Sequence, residues 1–409
     1  MSSLDDSADR ARGMDAADPL AHLRERFLGV DDPAVTAYFD GNSLGRPLRA
    51  TAERMDDFVR RQWGGRLIRG WTDEWLDWPL VVGDRLGAAA LGAAPGQVVV
   101  ADSTTVLLYK LVRAAVDAQP DRREIVVDTD NFPTDRYIVE GVAAERGLTV
   151  RWVETDTAAG ITPEQVADVV GPETALLVFS HVAYRSGFVA DGAAITRLAR
   201  DAGALVLWDL SHSVGSVPVE LDAWGADLAV GCTYKYLNAG PGAPAFAYVA
   251  ERHCGRLQQP VQGWMGRADM FEMAPGYEAA PGIRSVLSGT PPILAMVPLL
   301  VGLELLEEAG LAAVRTKSAL LTEYAVELAD AWLVPLGFGV ASPRDPARRG
   351  SHVTLCHPDA RALNARLVDA GVIPDFRAPD ALRLGLSPLS TSFTEVHRGL
   401  SVLRELAAS

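Results

Sequence analysis

Two side chains 26 residues apart frame the chemistry open to this sequence: Asp209, which closes Leu-Val-Leu-Trp-Asp, and Lys235, in Thr-Tyr-Lys-Tyr-Leu-Asn. Each follows a short apolar run that reads as a strand. An acid therefore ends one strand and a lone lysine follows the next. Burial and a nearby cationic ring lower a lysine's pKa, which makes it a nucleophile and then a base for carbonyl chemistry through an imine. An ionised acid beside it keeps a pyridine nitrogen protonated. This is the arrangement that holds pyridoxal phosphate (PLP), with the lysine in Schiff-base linkage and the acid on the pyridinium nitrogen.

Such a site needs an anion cradle, a ring platform and a group for the substrate. Ser103-Thr104-Thr105 lies between a β-branched strand (97–100) and an apolar-periodic helix (106–118). Hydroxyls and helix N-terminal amides there would point at a phosphate, although a simple N-cap reads equally well. Phe132, at the end of strand 124–127, could stack on a ring or sit in the core. Ser180 ends a further strand, His212 follows Asp209 by three residues, and Tyr234 flanks the lysine. Arg383, on a late strand, could take a carboxylate bidentately or face solvent. The loop Asp40-Gly-Asn42-Ser43-Leu-Gly45 could bring backbone and small polar groups close to a ligand, or be a plain turn. Trp63, Trp71, Trp75 and Trp78 suit core or a subunit interface better than a binding wall.

The elements that position these residues alternate. Strands at 148–153, 175–179, 204–208 and 227–231 separate helices, one opened by a Thr162–Gln165 capping box and another over 191–202. This predicts βαβ units, a mainly parallel sheet and strand ends gathered on one edge. Later helices at 293–308 and 311–332, strands at 352–356, 372–376 and 382–386, and a last helix from a Ser392–Glu395 capping box predict a smaller α+β domain. The expected division is an N-terminal segment 1–45 packing with the small domain, a large domain 46–300 and a small domain 301–409. Residues 1–18 read as a solvated, partly disordered tail.

Composition narrows the function classes. With 409 residues, 48% hydrophobic, the chain builds large cores. A net charge of −15 argues against nucleic acid and anionic membranes. No apolar stretch suits a bilayer, no signal peptide is read, and Cys232, Cys254 and Cys356 are spaced for neither disulfides nor zinc. A cytoplasmic protein without a metal is expected.

The sequence resembles the kynureninases, PLP enzymes of fold type I. The likeness rests on Phe39-Asp-Gly-Asn-Ser-Leu-Gly45, Asn131-Phe-Pro-Thr-Asp135, Trp208-Asp-Leu-Ser-His-Ser213, Tyr234-Lys-Tyr-Leu-Asn-Ala-Gly-Pro-Gly242, Gly263-Trp-Met-Gly266, Gly289-Thr-Pro-Pro-Ile293, Asp375-Phe-Arg-Ala-Pro379 and Leu382-Arg-Leu-Gly385. It implies that Lys235 carries the cofactor, Asp209 pairs with its ring nitrogen beside His212, and Phe132 stacks with Asp135 nearby. Thr104, Thr105, Tyr234 and Ser180 would hold the phosphate region. Trp264 and Thr290 would come from the partner of a homodimer with shared sites. Arg383 would take the α-carboxylate, with Asn42 and Ser43 on the substrate side. The implied reaction is hydrolysis of L-kynurenine, or a ring-substituted relative, to an anthranilate and L-alanine, with Lys235 and Tyr234 catalytic. Tryptophan catabolism, NAD biosynthesis or a secondary-metabolite route would use it.

Arg267, Ala183 and Ser390 depart from the family's common His, Asn and Tyr, so ring specificity stays open. Gly289-Thr290 matches the bacterial pattern associated with plain kynurenine. A lyase of the cysteine-desulfurase type is the rival enzyme. It needs a mobile nucleophilic cysteine, whereas Cys356 falls inside an apolar strand pattern. A catalytically silent scaffold is the rival from another class, and the intact set of cofactor residues weighs against it.

Overall fold

The computed structural model describes residues 4–409. Thirteen strands occur among them: β1 (Ala37–Tyr38), β2 (Val98–Ala101), β3 (Glu124–Asp128), β4 (Thr149–Val153), β5 (Thr174–Ser180), β6 (Leu205–Asp209), β7 (Leu228–Gly231), β8 (Ala245–Val249), β9 (Gly339–Val340), β10 (His352–Cys356), β11 (Val372–Ile373), β12 (Asp375–Arg377) and β13 (Ala381–Gly385). The main sheet runs β2-β8-β7-β6-β5-β3-β4. Strands β7, β6, β5, β3 and β4 pair in parallel, and β8 pairs antiparallel with both β7 and β2. The C-terminal ends of β2, β7, β6, β5 and β3 therefore share one edge. Strand β8, which the sequence reading did not identify, separates β2 from the parallel set.

Both faces of this sheet are covered, so its central strands are continuous apolar runs rather than alternations. Leu177, Phe179, Val206 and Trp208 point into one layer, and Leu176, Val178, Leu205 and Leu207 into the other, with the two-residue period of a strand. Helix Thr104–Asp117 lies on the second face through Leu107, Leu108, Leu111 and Val112, all out of contact with water. Each such side chain contributes roughly 1.5–3 kcal/mol, so the edge carrying Asp209 stands on a rigid base.

The second sheet is antiparallel, ordered β12-β13-β10-β9, and packs against helices Leu311–Leu328, Ala360–Asp369 and Phe393–Ala408. The single strand expected over 372–376 is two strands. Pro374 lies between them and has no amide for a ladder, so β11 pairs with β1 and β12 turns to β13.

The expected N-terminal tail is a helix, Leu4–Ala17; residues 1–3 lie outside the described residues. Its anchors are polar or small, which hid it from a search for apolar periodicity. Ala11 is buried, Tyr324 donates to the Ser7 carbonyl at 3.0 Å, and the Asp15 carboxylate accepts the amides of Phe393 and Thr394 at 2.7 and 3.0 Å. Asp15 thus caps the last helix, and Asp18 forms a buried ion pair with Lys317 at 2.6 Å. The capping box expected at Ser392 is half formed. Ser392 accepts the Glu395 amide at 3.0 Å, but the Glu395 carboxylate turns to Tyr38 N (2.9 Å) and Arg46 (3.2 Å). The Thr162–Gln165 box is complete.

Candidate active site

Asp209 and Ser180 are neighbours in register on β6 and β5. Asp209 Oδ1 accepts the amide and hydroxyl of Ser211 at 2.9 and 2.6 Å, which fixes the carboxylate and leaves Oδ2 unengaged. Lys235 is buried in the loop after β7, its Nζ 3.3 Å from His212 Nε2 and 5.9 Å from the ring centroids of both Phe132 and Tyr234. Burial holds the His212 pKa well below its usual value, and the Lys235 charge adds to this. The imidazole is thus kept neutral as an acceptor for the lysine's proton.

Phe132 stands at the N-terminus of helix Pro133–Arg146, which the sequence reading missed because Pro133 at its first position resembled a loop. Asn131 fixes the ring's backbone. Its Nδ2 donates to the Val178 carbonyl at 3.1 Å, and its Oδ1 accepts the Phe132 amide at 2.8 Å and the Ser180 hydroxyl at 2.7 Å. Tyr184 meets the Phe132 ring edge-on at 5.4 Å. Ser180 is thus a clamp beside Asp209, where the resemblance implied a phosphate contact. One turn into the helix, Asp135 is wholly buried and its Oδ2 has no partner. Burial, with Asp209 and Asp128 nearby, pushes this carboxyl well above its usual range.

Helix Thr104–Asp117 opens on the same sheet edge, and Ser103 at its N-cap makes no capping bond, so the first-turn amides face outward. Thr104 is half-buried and Thr105 exposed. Lys110, wholly buried, holds the neighbouring turn by pairing with Asp102 at 3.2 Å and donating to Ser288 Oγ at 2.8 Å and to the Val286 carbonyl. Tyr234 is half-buried, and burial raises its phenol pKa, so it carries its proton at neutral pH.

The loop 40–46 closes over the lysine segment. The Gly45 amide donates to the Tyr234 carbonyl at 2.8 Å, and a Cβ at Gly45 would lie 2.2 Å from the Lys235 carbonyl oxygen and 2.3 Å from Asn238 Oδ1. Asn42 is fully buried with both side-chain polar atoms unpartnered. Arg383, fully buried on β13, donates from Nη1 to the Tyr184 carbonyl at 2.6 Å and from Nη2 to Ser43 Oγ at 2.9 Å, and lies 2.5 Å from Asp375 Oδ2. Burial pushes the Asp40 carboxyl in this loop up to about 6. Trp264 and Thr290 are not brought to Lys235. Trp264, 42% exposed, and Thr290 line a separate cavity of 350 Å³ with Ile68, Trp71, Leu76 and Phe271. Arg267 is spent on its own loop, bonding the Asp269 carbonyl at 2.6 Å and pairing with Glu272 at 2.5 Å.

Sequence reasoning missed Asn131, Ser211, Lys110, His352 and Asp375. Asn131 had a signal, an amide side chain just before Phe-Pro at a strand end. His352 is wholly buried with both ring nitrogens unpartnered, its ring 5.7 Å from that of His212.

The residues fit PLP on this chain's own observations. Asp135 has an unpartnered buried carboxyl oxygen, and the same sheet edge carries a clamped aromatic platform, an uncapped helix N-terminus, a buried lysine and an oriented acid. The arrangement can hold a cationic ring and a phosphate and move a proton between Lys235, His212 and a ligand.

Comparisons with known proteins agree. The kynureninase C-terminal domain family matches residues 314–403. The kynureninase of Pseudomonas fluorescens is 42% identical over 401 residues, covering 96% of this chain and 94% of that protein. That of Burkholderia pseudomallei (strain 1106a) is 41% identical over 405 residues, covering 97% and 95%. Among solved structures, an apo cysteine desulfurase from Thermococcus onnurineus NA1 superposes with a TM-score of 0.82 at 19% identity, over 95% of this chain and 98% of that one. A C-DES variant with glycine covalently linked to its PLP cofactor gives 0.80 at 19% identity, over 93% and 99%. These structural likenesses establish the α/β architecture of fold type I PLP enzymes.

Proposed function

This chain belongs to the kynureninase family, and we propose that it hydrolyses the Cβ–Cγ bond of L-kynurenine to anthranilate and L-alanine with PLP. The observation that carries this is 42% identity along nearly the whole chain to a kynureninase, and the burial of Lys235 beside His212 and of Arg383 beside Ser43 supports it. The cofactor supplies the electron sink for breaking a carbon–carbon bond.

The chain supplies positioning and proton handling. Lys235 moves the Cα proton, with neutral His212 at 3.3 Å to relay it. Asp209, oriented by Ser211, keeps the ring nitrogen protonated. Tyr234 carries a proton at neutral pH and delivers it at the side-chain carbonyl as water adds. Arg383, with Ser43, binds the α-carboxylate, and Asn42 offers two buried polar atoms on the same side. Thr104 and Thr105 offer hydroxyls and helix amides to the phosphate.

We propose a homodimer in which Trp264 and Thr290 complete the partner's site. Ile68, Trp264 and Phe271, exposed at 78%, 42% and 57%, border one cavity, an apolar surface of the kind that a subunit covers. A division near residues 45 and 300, with the N-terminal segment joined to the small sheet, suits the packing of helix Leu4–Ala17 on the last helix. A cytoplasmic role in tryptophan catabolism or NAD precursor supply is consistent with the chemistry. No helix among the described residues is long and apolar enough to cross a membrane.

Anthranilate fluorescence on adding L-kynurenine to holoenzyme tests the reading. Lys235→Ala is expected to lose both the visible cofactor band and turnover, and normal turnover would refute the assignment. The desulfurase alternative needs a mobile thiolate. Cys356 is held in register opposite Ala381, with its thiol pKa raised by burial, so release of sulfide from cysteine would be needed to revive it. Comparing kcat/KM on kynurenine, 3-hydroxykynurenine and a methylated analogue assigns the ring preference.

A further inference from the structure

The partners of Arg383 conflict with its proposed task. A guanidinium grips a carboxylate through one of two forks, Nε with Nη2 or Nη1 with Nη2. Both forks use Nη2, and Nη2 already donates to Ser43 Oγ at 2.9 Å and faces Asp375 Oδ2 at 2.5 Å. Nε is buried and has no partner. An arriving carboxylate thus finds half of one fork ready and the other half beside a carboxylate of like charge.

Asp375 is placed to give way. It sits on β12, the half-buried edge strand, directly opposite Arg383 in the ladder. Its contact with Arg383 is an ion pair without an aligned hydrogen bond, whereas Arg377 Nε donates to the same oxygen at 2.7 Å. Arg377 would therefore keep Asp375 neutralised when Arg383 lets it go, so the exchange strands no buried charge. Ser43 carries no charge and can stay.

We propose that Asp375 is a built-in stand-in for the substrate's α-carboxylate: it occupies Arg383 between turnovers and shifts wholly onto Arg377 when the substrate docks. This rests on the reading of Arg383 as the α-carboxylate site. Asp375 and Arg377 are positioning residues that act through Arg383, and together they set how strongly an amino acid must compete to enter. The same exchange run backwards helps expel the amino-acid product, because a tethered carboxylate waits beside the arginine.

The stand-in makes opposite predictions for its two members. If it occupies Arg383 nine-tenths of the time, apparent affinity is reduced about tenfold. In holoenzyme assayed with L-kynurenine, Asp375→Asn is expected to lower KM by about that factor with kcat within about twofold. Arg377→Gln removes the alternative cation and is expected to raise KM, with kcat again little changed. The inhibition constant of L-alanine is expected to follow KM in both variants. A fold defect alone would move both variants the same way and would reduce kcat. A KM that rises or stays level in Asp375→Asn, or falls or stays level in Arg377→Gln, overturns the proposal, and either variant suffices if the other does not fold. Arg383→Lys tests the underlying reading separately. If it leaves KM unchanged, Arg383 is not the carboxylate site, whereas a sharp rise in KM there with the wrong signs above sinks the stand-in alone.

Discussion

Gly45→Ala tests whether the loop over the lysine sets its position. The added Cβ would lie 2.2 Å from the Lys235 carbonyl oxygen, about 1.2 Å short of ordinary contact, and 2.3 Å from Asn238 Oδ1. Gly45 does not have a positive φ, so the alanine backbone itself is unstrained and the cost is purely the collision. Either the loop lifts and loses the 2.8 Å bond to the Tyr234 carbonyl, worth about 1 kcal/mol, or the lysine segment retreats. Forcing a group into a full space costs about 1–3 kcal/mol, and a misplacement of about 1 Å at a reacting group costs about 100-fold in rate. The expected result is a fall in kcat/KM of roughly that size with a protein that still folds. The assay is anthranilate release by holoenzyme beside thermal melting. Gly141→Ala, in a helix with nothing within 4 Å of the new Cβ, is the control, expected to leave activity alone and raise stability by roughly 0.5–1 kcal/mol. Activity within threefold of the parent in Gly45→Ala would refute the reasoning.

Two stability predictions accompany it. Lys110→Met keeps the bulk but strands the Val286 carbonyl and leaves the Asp102 carboxylate with the Ser288 hydroxyl, at 2.9 Å, in place of the ammonium. Because Asp102 is a quarter exposed and keeps Ser288, the loss is expected below the roughly 3–5 kcal/mol of a broken buried pair, at about 1–3 kcal/mol by chemical unfolding, with weaker retention of the cofactor. Asp128 is buried and its carboxyl is pushed up to about 7, chiefly by burial and then by Asp130. Its folded value lies above its unfolded one, so its contribution is fullest below about pH 4 and is lost as pH rises through 7. Asp128→Asn does not titrate, so its melting temperature is expected to gain on the parent's between pH 5 and pH 8, by the equivalent of at most about 3 kcal/mol; a constant difference would contradict this.

The strand ends and the lysine were legible in the sequence because each depends on a local pattern: an apolar run, a lone acid, a capping pair such as Thr162 and Gln165. What escaped depends on partners far along the chain. Helix Leu4–Ala17 has too little apolar periodicity to stand alone and gains its anchors from Tyr324, Phe393 and Lys317. Glu395 reads as a capping residue until Arg46 and Tyr38 are brought beside it. Ser180 reads as a hydroxyl for a ligand until Asn131 claims it. Asp375 gains meaning only from the register that sets it against Arg383. The two lie on adjacent strands of one hairpin, yet their apposition follows from the register that Pro374 and the turn after β12 impose, which the residue types alone do not specify.

The Asn131 clamp has a consequence for the life of the protein without its cofactor. Its three hydrogen bonds run to the Val178 carbonyl, the Phe132 amide and the Ser180 hydroxyl, all on or beside the main sheet, and none involves a bound ring. The aromatic platform is held by the scaffold and not by its guest. Apoenzyme is therefore expected to regain activity on adding the cofactor without a slow phase, and a lag in the recovery of the visible cofactor band would contradict this.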